Sequence, residues 1–319
     1  MQSFKISIFS LIFVLVILIS AIHYRVDIKD SIILDIASGS STSLIATSLH
    51  ENKIILNPIV FKIYVRISSN DHKIKAGEYK FKSTQSIHSI VDKLTKGDFF
   101  YRKLTLLPGT TISNILKLGN SESLVNDLAN DPEKLLKKKG INLQEGIFFP
   151  DTFFYLKGEN FSSILIKSNE KWKKISKELW LNRDLNLPFK NLNEAVTLAS
   201  IIEKEGLEKR KIAGVFVNRL NKNMKLQSDP TVIYALGNEF DGNLTRKNLQ
   251  IDNPYNTYRY KGLPPGPISI VSYDSLEAAL NPLLTDYLYF VSMGNGFHKF
   301  SKTLTEHNEA VLKYQINGR

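Results

Sequence analysis

The segment Ala199-Ser-Ile-Ile-Glu203-Lys-Glu205-Gly206 places two carboxylates at the end of an otherwise apolar helical stretch, just before a helix-breaking glycine. A carboxyl on the flank of a buried helical face sits where desolvation raises its pKa, and general-acid chemistry near neutral pH needs a raised carboxyl pKa. The negative end of the helix dipole acts in the same direction. At about 100° per residue, Ala195, Leu198, Ala199 and Ile202 form the apolar stripe. Glu203 lies on one flank and Glu205 on the other, and periodicity does not choose between them. The competing reading is two solvated carboxylates at a helix end.

Three downstream clusters supply polar and aromatic material. In Gln227-Ser-Asp229-Pro230, Asp229 reads as the cap of a following helix with Pro230 in its first turn, which leaves Gln227 to face a ligand. The run Asp252 to Tyr260, followed by Gly262-Leu-Pro-Pro-Gly266, is a proline-stiffened loop that presents amides, hydroxyls and rings together. Sugars are bound by such mixtures, although a packed surface loop is the alternative. The third cluster holds His298, Thr303, Glu306 and His307, without the spacing of a metal site. The chain has no Gly-x-Ser-x-Gly, phosphate loop or dinucleotide fingerprint. With no cysteine, thiolate metal sites and cysteine nucleophiles are excluded. These features point to a carboxylate-driven enzyme acting on polysaccharide outside the cytoplasm, with no metal and no cofactor expected.

The elements that must position these residues follow from composition and patterning. With 319 residues, 43% hydrophobic and 23% charged, the chain is globular and long enough for about two domains. Net charge is +11, but the lysines are scattered and not interleaved with aromatics, which argues against a nucleic-acid partner. Ile6 to Ile22 carries no charge and is at the short end of what spans a hydrocarbon core of roughly 30 Å. We expect a cytoplasmic tail at 1–5, a retained anchor at 6–23, and the remainder outside, oriented by the amino terminus and Lys5.

Asp27–Leu34 reads as a strand or linker, and Ser43–Glu51 as a helix. Phe61, Ile63, Val65 and Ile67 alternate as in a strand, and Gly77–Phe81 is a second strand candidate. Ser86–Leu94 is helical, Lys103–Leu107 a strand and Thr111–Leu118 a helix. Further helices are expected over 121–129, 132–139 and 161–181, around the aromatic run Glu145–Tyr155, which reads as core or as a sugar-stacking surface. The glutamate-bearing helix starts at Asn191 with Glu194 completing a capping box. A second helix after Gly206 carries Asn218 and Arg219 on its margins. The fold class is therefore α+β.

Several ordered motifs carry a family resemblance: ASIIEKE (Ala199–Glu205), VFVNRL (Val215–Leu220), LQSDPTVIYALG (Leu226–Gly237), YNTY (Tyr255–Tyr258), GLPPGPI (Gly262–Ile268), YLYFV (Tyr287–Val291) and the His298–His307 stretch. Together with EGIFFPDTFFY (Glu145–Tyr155), they resemble the YceG-like, or MltG-type, endolytic murein transglycosylases. The resemblance implies a LysM-like α+β region over 30–100 and a mixed α+β catalytic domain over 103–319. It implies a single-pass protein of the cytoplasmic (inner) membrane whose extracytoplasmic domain cleaves nascent peptidoglycan within the glycan strand and leaves 1,6-anhydro ends. The partners implied are glycan strands, the membrane and peptidoglycan synthases. In the family motif the catalytic glutamate matches Glu203 rather than Glu205. Asn218, Gln227, Asp229, Asn256 and Tyr258 are the expected substrate-binding positions. Two departures are a short segment between Glu205 and Ile212, and Ser269-Ile-Val-Ser272 where a Pro-Gly turn is expected.

Overall fold

The computed structural model describes residues 2–316, with side chains from residue 9 onward. Met1 of the expected tail, the side chains of the rest of it, and residues 317–319 of the expected catalytic domain lie outside the described residues. The chain divides into two compact units, Met1–Lys103 with Phe154–Glu159, and Leu104–Phe153 with Asn160–Arg319.

The first unit opens with α1 (Gln2–His23). Among the described residues no helix is long and apolar enough to cross a membrane. Strand β1 (Val26–Ile36) then pairs antiparallel with β2 (Gly77–Gln85), Leu34 opposite Tyr79 and Ile32 opposite Phe81. Alternation points Ile28, Leu34, Ile36, Tyr79 and Phe81 into a core closed by α2 (Thr42–Glu51), α3 (Pro58–Ile67) and α4 (Ile87–Lys96). Helix α4 ends at Gly97, whose φ of 75° suits the left-handed cap. Helix α3 replaces the strand expected over Phe61–Ile67. Asn57 caps it by accepting from the Ile59 and Val60 N–H groups, and Pro58 fits its first turn. Phe61 and Val65, four residues apart, are buried, while Ile63 and Ile67 face outward. A run that is apolar at every second position satisfies one helical face as well, and here the start signal decides.

Strands β3 (Arg102–Thr105) and β5 (Thr152–Tyr155) carry the chain out of this unit and back. In the second unit, α5 (Ile112–Lys117) is capped by Thr111. The helix expected over 121–129 is absent: the stretch contains only a short strand, β4 (Leu124–Val125), with turns around it. Helix α6 covers Pro132–Lys138, and β6 is Glu159–Asn160. Helix α7 (Phe161–Leu181) buries Ser168 and Asn169, which act as anchors for the aromatic run. The Phe149 N–H donates to Ser168 Oγ at 2.9 Å, Ser168 Oγ donates to the Phe149 carbonyl at 2.9 Å, and Asn169 Nδ2 donates to the Ile147 carbonyl at 2.8 Å. Phe148 is fully buried and Ile147 and Phe149 pack against the core, while Phe154 is exposed.

Helix α8 (Leu192–Glu205) is buried continuously from Ala195 to Ile202 rather than along one stripe. It is packed by α9 (Lys209–Asn221), α10 (Asp229–Leu236) and α11 (Tyr273–Leu280). Its buried hydroxyls are satisfied locally: Thr197 donates to the Asn193 carbonyl and Ser200 to that of Thr197. Ser200 Oγ also accepts the Ile268 N–H at 3.0 Å, which ties the proline-rich segment to the helix. The hairpin β7 (Tyr289–Ser292) and β8 (His298–Ser301), followed by α12 (Leu304–Val311), completes the unit.

Candidate active site

The two glutamates of α8 end in opposite environments. Glu203 Oε1 takes an ion pair from Lys209 Nζ at 3.0 Å. Its Oε2 accepts from the Ser272 N–H at 2.8 Å and from Ser272 Oγ at 2.5 Å. Burial pushes its pKa up, but the hydrogen bonds from Ser272, Ser275 and Lys209 outweigh that and hold it below the usual carboxylate value. A carboxylate held in this way keeps no proton to donate near neutral pH. Its geometry is that of a brace between the end of α8 and the start of α11, which differs from the acid role implied by the resemblance.

Among the described residues Glu205 has a single hydrogen-bond partner, Ser228 Oγ, which donates to Oε1 at 2.5 Å. Burial pushes its pKa up to about 7; the nearby Asp229 carboxylate adds to the rise, and Ser228 and Arg219 pull against it. The residue is only partly covered and faces a cleft of about 590 Å³. The same cleft is lined by Arg219, Gln227, Asp229, Tyr258 and Tyr289, with His298 and His307 beside them. The chain turns away from α8 at Gly206, where a Cβ would lie 2.7 Å from Cε1 of His298. The absence of a side chain there lets the imidazole pack against the helix end.

Of the expected binding positions, Gln227, Asp229 and Tyr258 line this cleft. Gln227 adopts φ 51°, and the Tyr258 hydroxyl donates to Asp229 Oδ1 at 2.5 Å. Asp229 lies in the first turn of α10, and Ser228 takes the cap position expected of it. Asn218 and Asn256 do not line the cleft. Asn218 Nδ2 donates to the Thr285 and Tyr287 carbonyls, at 2.7 and 3.0 Å. Asn256 is fully buried; its Nδ2 donates to the Leu249 and Ile251 carbonyls and its Oδ1 accepts the Tyr258 N–H. Both amides shape loops, and Asn256 thereby aims Tyr258. Asp252 also lies outside the cleft lining, accepting from the Tyr260 hydroxyl and from Arg259.

The sequence reading did not single out Arg219 and Ser228 as site residues. Arg219 is 7% exposed, donates to the Leu288 and Leu226 carbonyls at 2.6 and 2.8 Å, and lies over the Tyr289 ring. A buried arginine whose main hydrogen bonds go to carbonyls is a fixed positive charge in the cleft wall. Its position on the margin of a helix, within VFVNRL, was the available signal.

Residues 34–313 match the model of the YceG-like family. The chain belongs to the YceG-like family. This YceG-like chain is 35% identical over 313 residues to a protein of Bacillus subtilis named endolytic murein transglycosylase, covering 90% of the chain and 86% of that relative. A Streptococcus pneumoniae protein of the same name is 28% identical over 334 residues, which cover 91% of the chain and 59% of the relative. A crystal structure of a putative YceG-like protein from Listeria monocytogenes superposes with a TM-score of 0.54 at 33% identity, covering 88% of this chain and 99% of that one.

Proposed function

We propose that this YceG-like chain is a peptidoglycan lytic transglycosylase in which Glu205 serves first as acid and then as base. The observation that carries the reading is the Glu205 carboxyl: its pKa raised to about 7 by burial, reachable from a cleft of amides, rings and a fixed cation, and hydrogen-bonded among the described residues to Ser228 alone. Family membership and the names of the bacillary and pneumococcal relatives support the substrate class. In the proposed reaction Glu205 gives its proton to the glycosidic oxygen between MurNAc and GlcNAc as that C–O bond breaks. The muramyl C6 hydroxyl then forms the new bond to the anomeric carbon and returns its proton to the carboxylate. The result is a 1,6-anhydro end, with no water consumed. Asp229, steadied by Tyr258, favours the positive charge that develops at the anomeric carbon.

A two-carboxylate hydrolase is the second reading, because Asp229 shares the cleft with Glu205. Incubation with uncrosslinked glycan strands and mass spectrometry of the new ends separates the two. Ends lighter by one water support the transglycosylase, and reducing ends support the hydrolase. No cleavage by folded protein would leave a glycan-binding scaffold. Glu205→Gln is expected to lower turnover by about 10²–10⁴-fold. Glu203→Gln should keep most of the turnover at a lower melting temperature, and the reverse pattern would return the acid role to Glu203.

In the same reading α1 holds the chain in the cytoplasmic membrane as a single pass, with the amino terminus inside and the chain after α1 outside. Its support is the uncharged run Ile6–Ile22 and the outward apolar side chains of α1.

A further inference from the structure

Glu145 is a half-buried carboxyl that the proposed reaction does not use. Its two oxygens accept from a single N–H, that of Ile112, at 3.1 and 3.0 Å, and the Tyr234 hydroxyl stands 3.5 Å from Oε1. Burial pushes its pKa up to about 7. The segment is firmly placed. Asn169 holds the Ile147 carbonyl, and a Cβ at Gly146 would come within 2.9 Å of both Val196 and Pro267.

Two cavities meet at this carboxyl. One, of about 380 Å³, has Ile233, Tyr234 and Ile268 as apolar wall and Ser113, Asn114 and Asn238 as polar rim. The other, of about 390 Å³, is lined by Gln144, Trp172, Asn191, Asn193 and Val196. Each is within the size range of small-ligand pockets, about 300–1,000 Å³, and each is lined by both amides and apolar side chains. Pyranose rings with acetamido groups need this pairing: the ring face against carbon, the hydroxyls and amide against polar side chains. Neighbouring residues connect the groove to the reaction cleft. Lys204 and Pro230 line the first cavity, while Glu205 and Asp229, adjacent to them in sequence, line the cleft. The last turn of α8 and the first of α10 are thus the partition between the two.

We infer that the groove centred on Glu145 is a second saccharide-binding surface that takes N-acetylated hexosamine units of a glycan strand beyond the partition from Glu205. This rests on the reaction proposed above for the choice of polymer. Glu145 contributes an acceptor and, when protonated, a donor to a sugar hydroxyl or acetamide.

The test uses the full chain in detergent, with Glu205→Gln as parent so that no ligand is consumed, and N-acetylglucosamine hexamer as probe in calorimetry. Asn238→Trp and Asn114→Trp each fill the groove from an exposed rim position. Both are expected to melt with the parent and to weaken hexamer binding about tenfold or more. Unchanged affinity in both variants, or no hexamer binding by the parent, overturns the inference. Turnover of glycan strands by unsubstituted protein is measured alongside. Groove-dependent binding without turnover sinks only the proposed reaction, and turnover with groove-independent binding sinks only the groove.

Discussion

Two residues of separation give Glu203 and Glu205 opposite titration behaviour, because one meets a cation and two hydroxyls and the other meets one hydroxyl and a neighbouring carboxylate. The proposed reaction needs the Glu205 proton at the outset, so turnover is expected to be level at acidic pH and to fall tenfold per pH unit above about 7. A pH profile of kcat on defined strands that stays flat to pH 9 would exclude Glu205 as the acid. Stability follows the same sign. The Glu205 pKa in the folded chain, about 7, lies above the ordinary 4.5. Its contribution is therefore fully present below about 4.5 and is lost as pH rises through 7. Glu205→Gln removes that loss, so the variant should melt above the parent at pH 8, with the advantage shrinking toward pH 5.

At the scale of elements, α9 shows how tightly the cleft wall is assembled. Gly214 faces the Leu283 carbonyl so closely that a Cβ there would strike backbone. The same stretch is tied to α9 by the Leu283 N–H donating to the Arg210 carbonyl at 3.0 Å and by the Asn218 amide. Gly214→Ala is expected to cost about 1–3 kcal/mol, read as a lower urea midpoint. An unchanged midpoint would mean that the 281–287 segment is not pressed on the helix. Helices with a clear period were readable before folding: α4, α7 and α8 stand where their patterns put them. The strand read over Phe61–Ile67 failed because alternation and one helical face coincide in so short a run. In the candidate site, Gln227, Asp229 and Tyr258 were legible as polar groups beside a cap and in a stiff loop. Asn218 and Asn256 were not, because an amide that satisfies backbone carbonyls, distant for Asn218 and five to seven residues away for Asn256, looks the same in one dimension as an amide that waits for ligand. The choice between Glu203 and Glu205 depended on Lys209, Ser228 and Ser272, partners that only the fold supplies.

For the whole molecule, the apolar surface of α1 sets the first expectation. Phe9 and Leu11 are 78% and 71% exposed, with Phe13 and Val14 beside them, and contiguous apolar surface of this kind marks an interaction with lipid or protein. The full chain is expected to stay with membranes through an alkaline carbonate wash and to need detergent for release, whereas a chain starting at residue 24 should be washed free. Release of the full chain by carbonate would remove the anchor reading. The first unit has a further property, since it recruits Phe154–Glu159 from far along the chain. Lys157 in that return pairs with Asp35 at 2.7 Å and lies 4.0 Å from Glu78, whose carboxylate Arg102 grips with two bonds of 2.9 Å. A nascent chain that has emerged only to Lys103 is therefore still missing a piece of its amino-terminal unit. That piece arrives once about half of the 319 residues have been translated. Completion of the first unit must wait on the ribosome until then, and any holding factor that acts on the emerging chain has that interval in which to work.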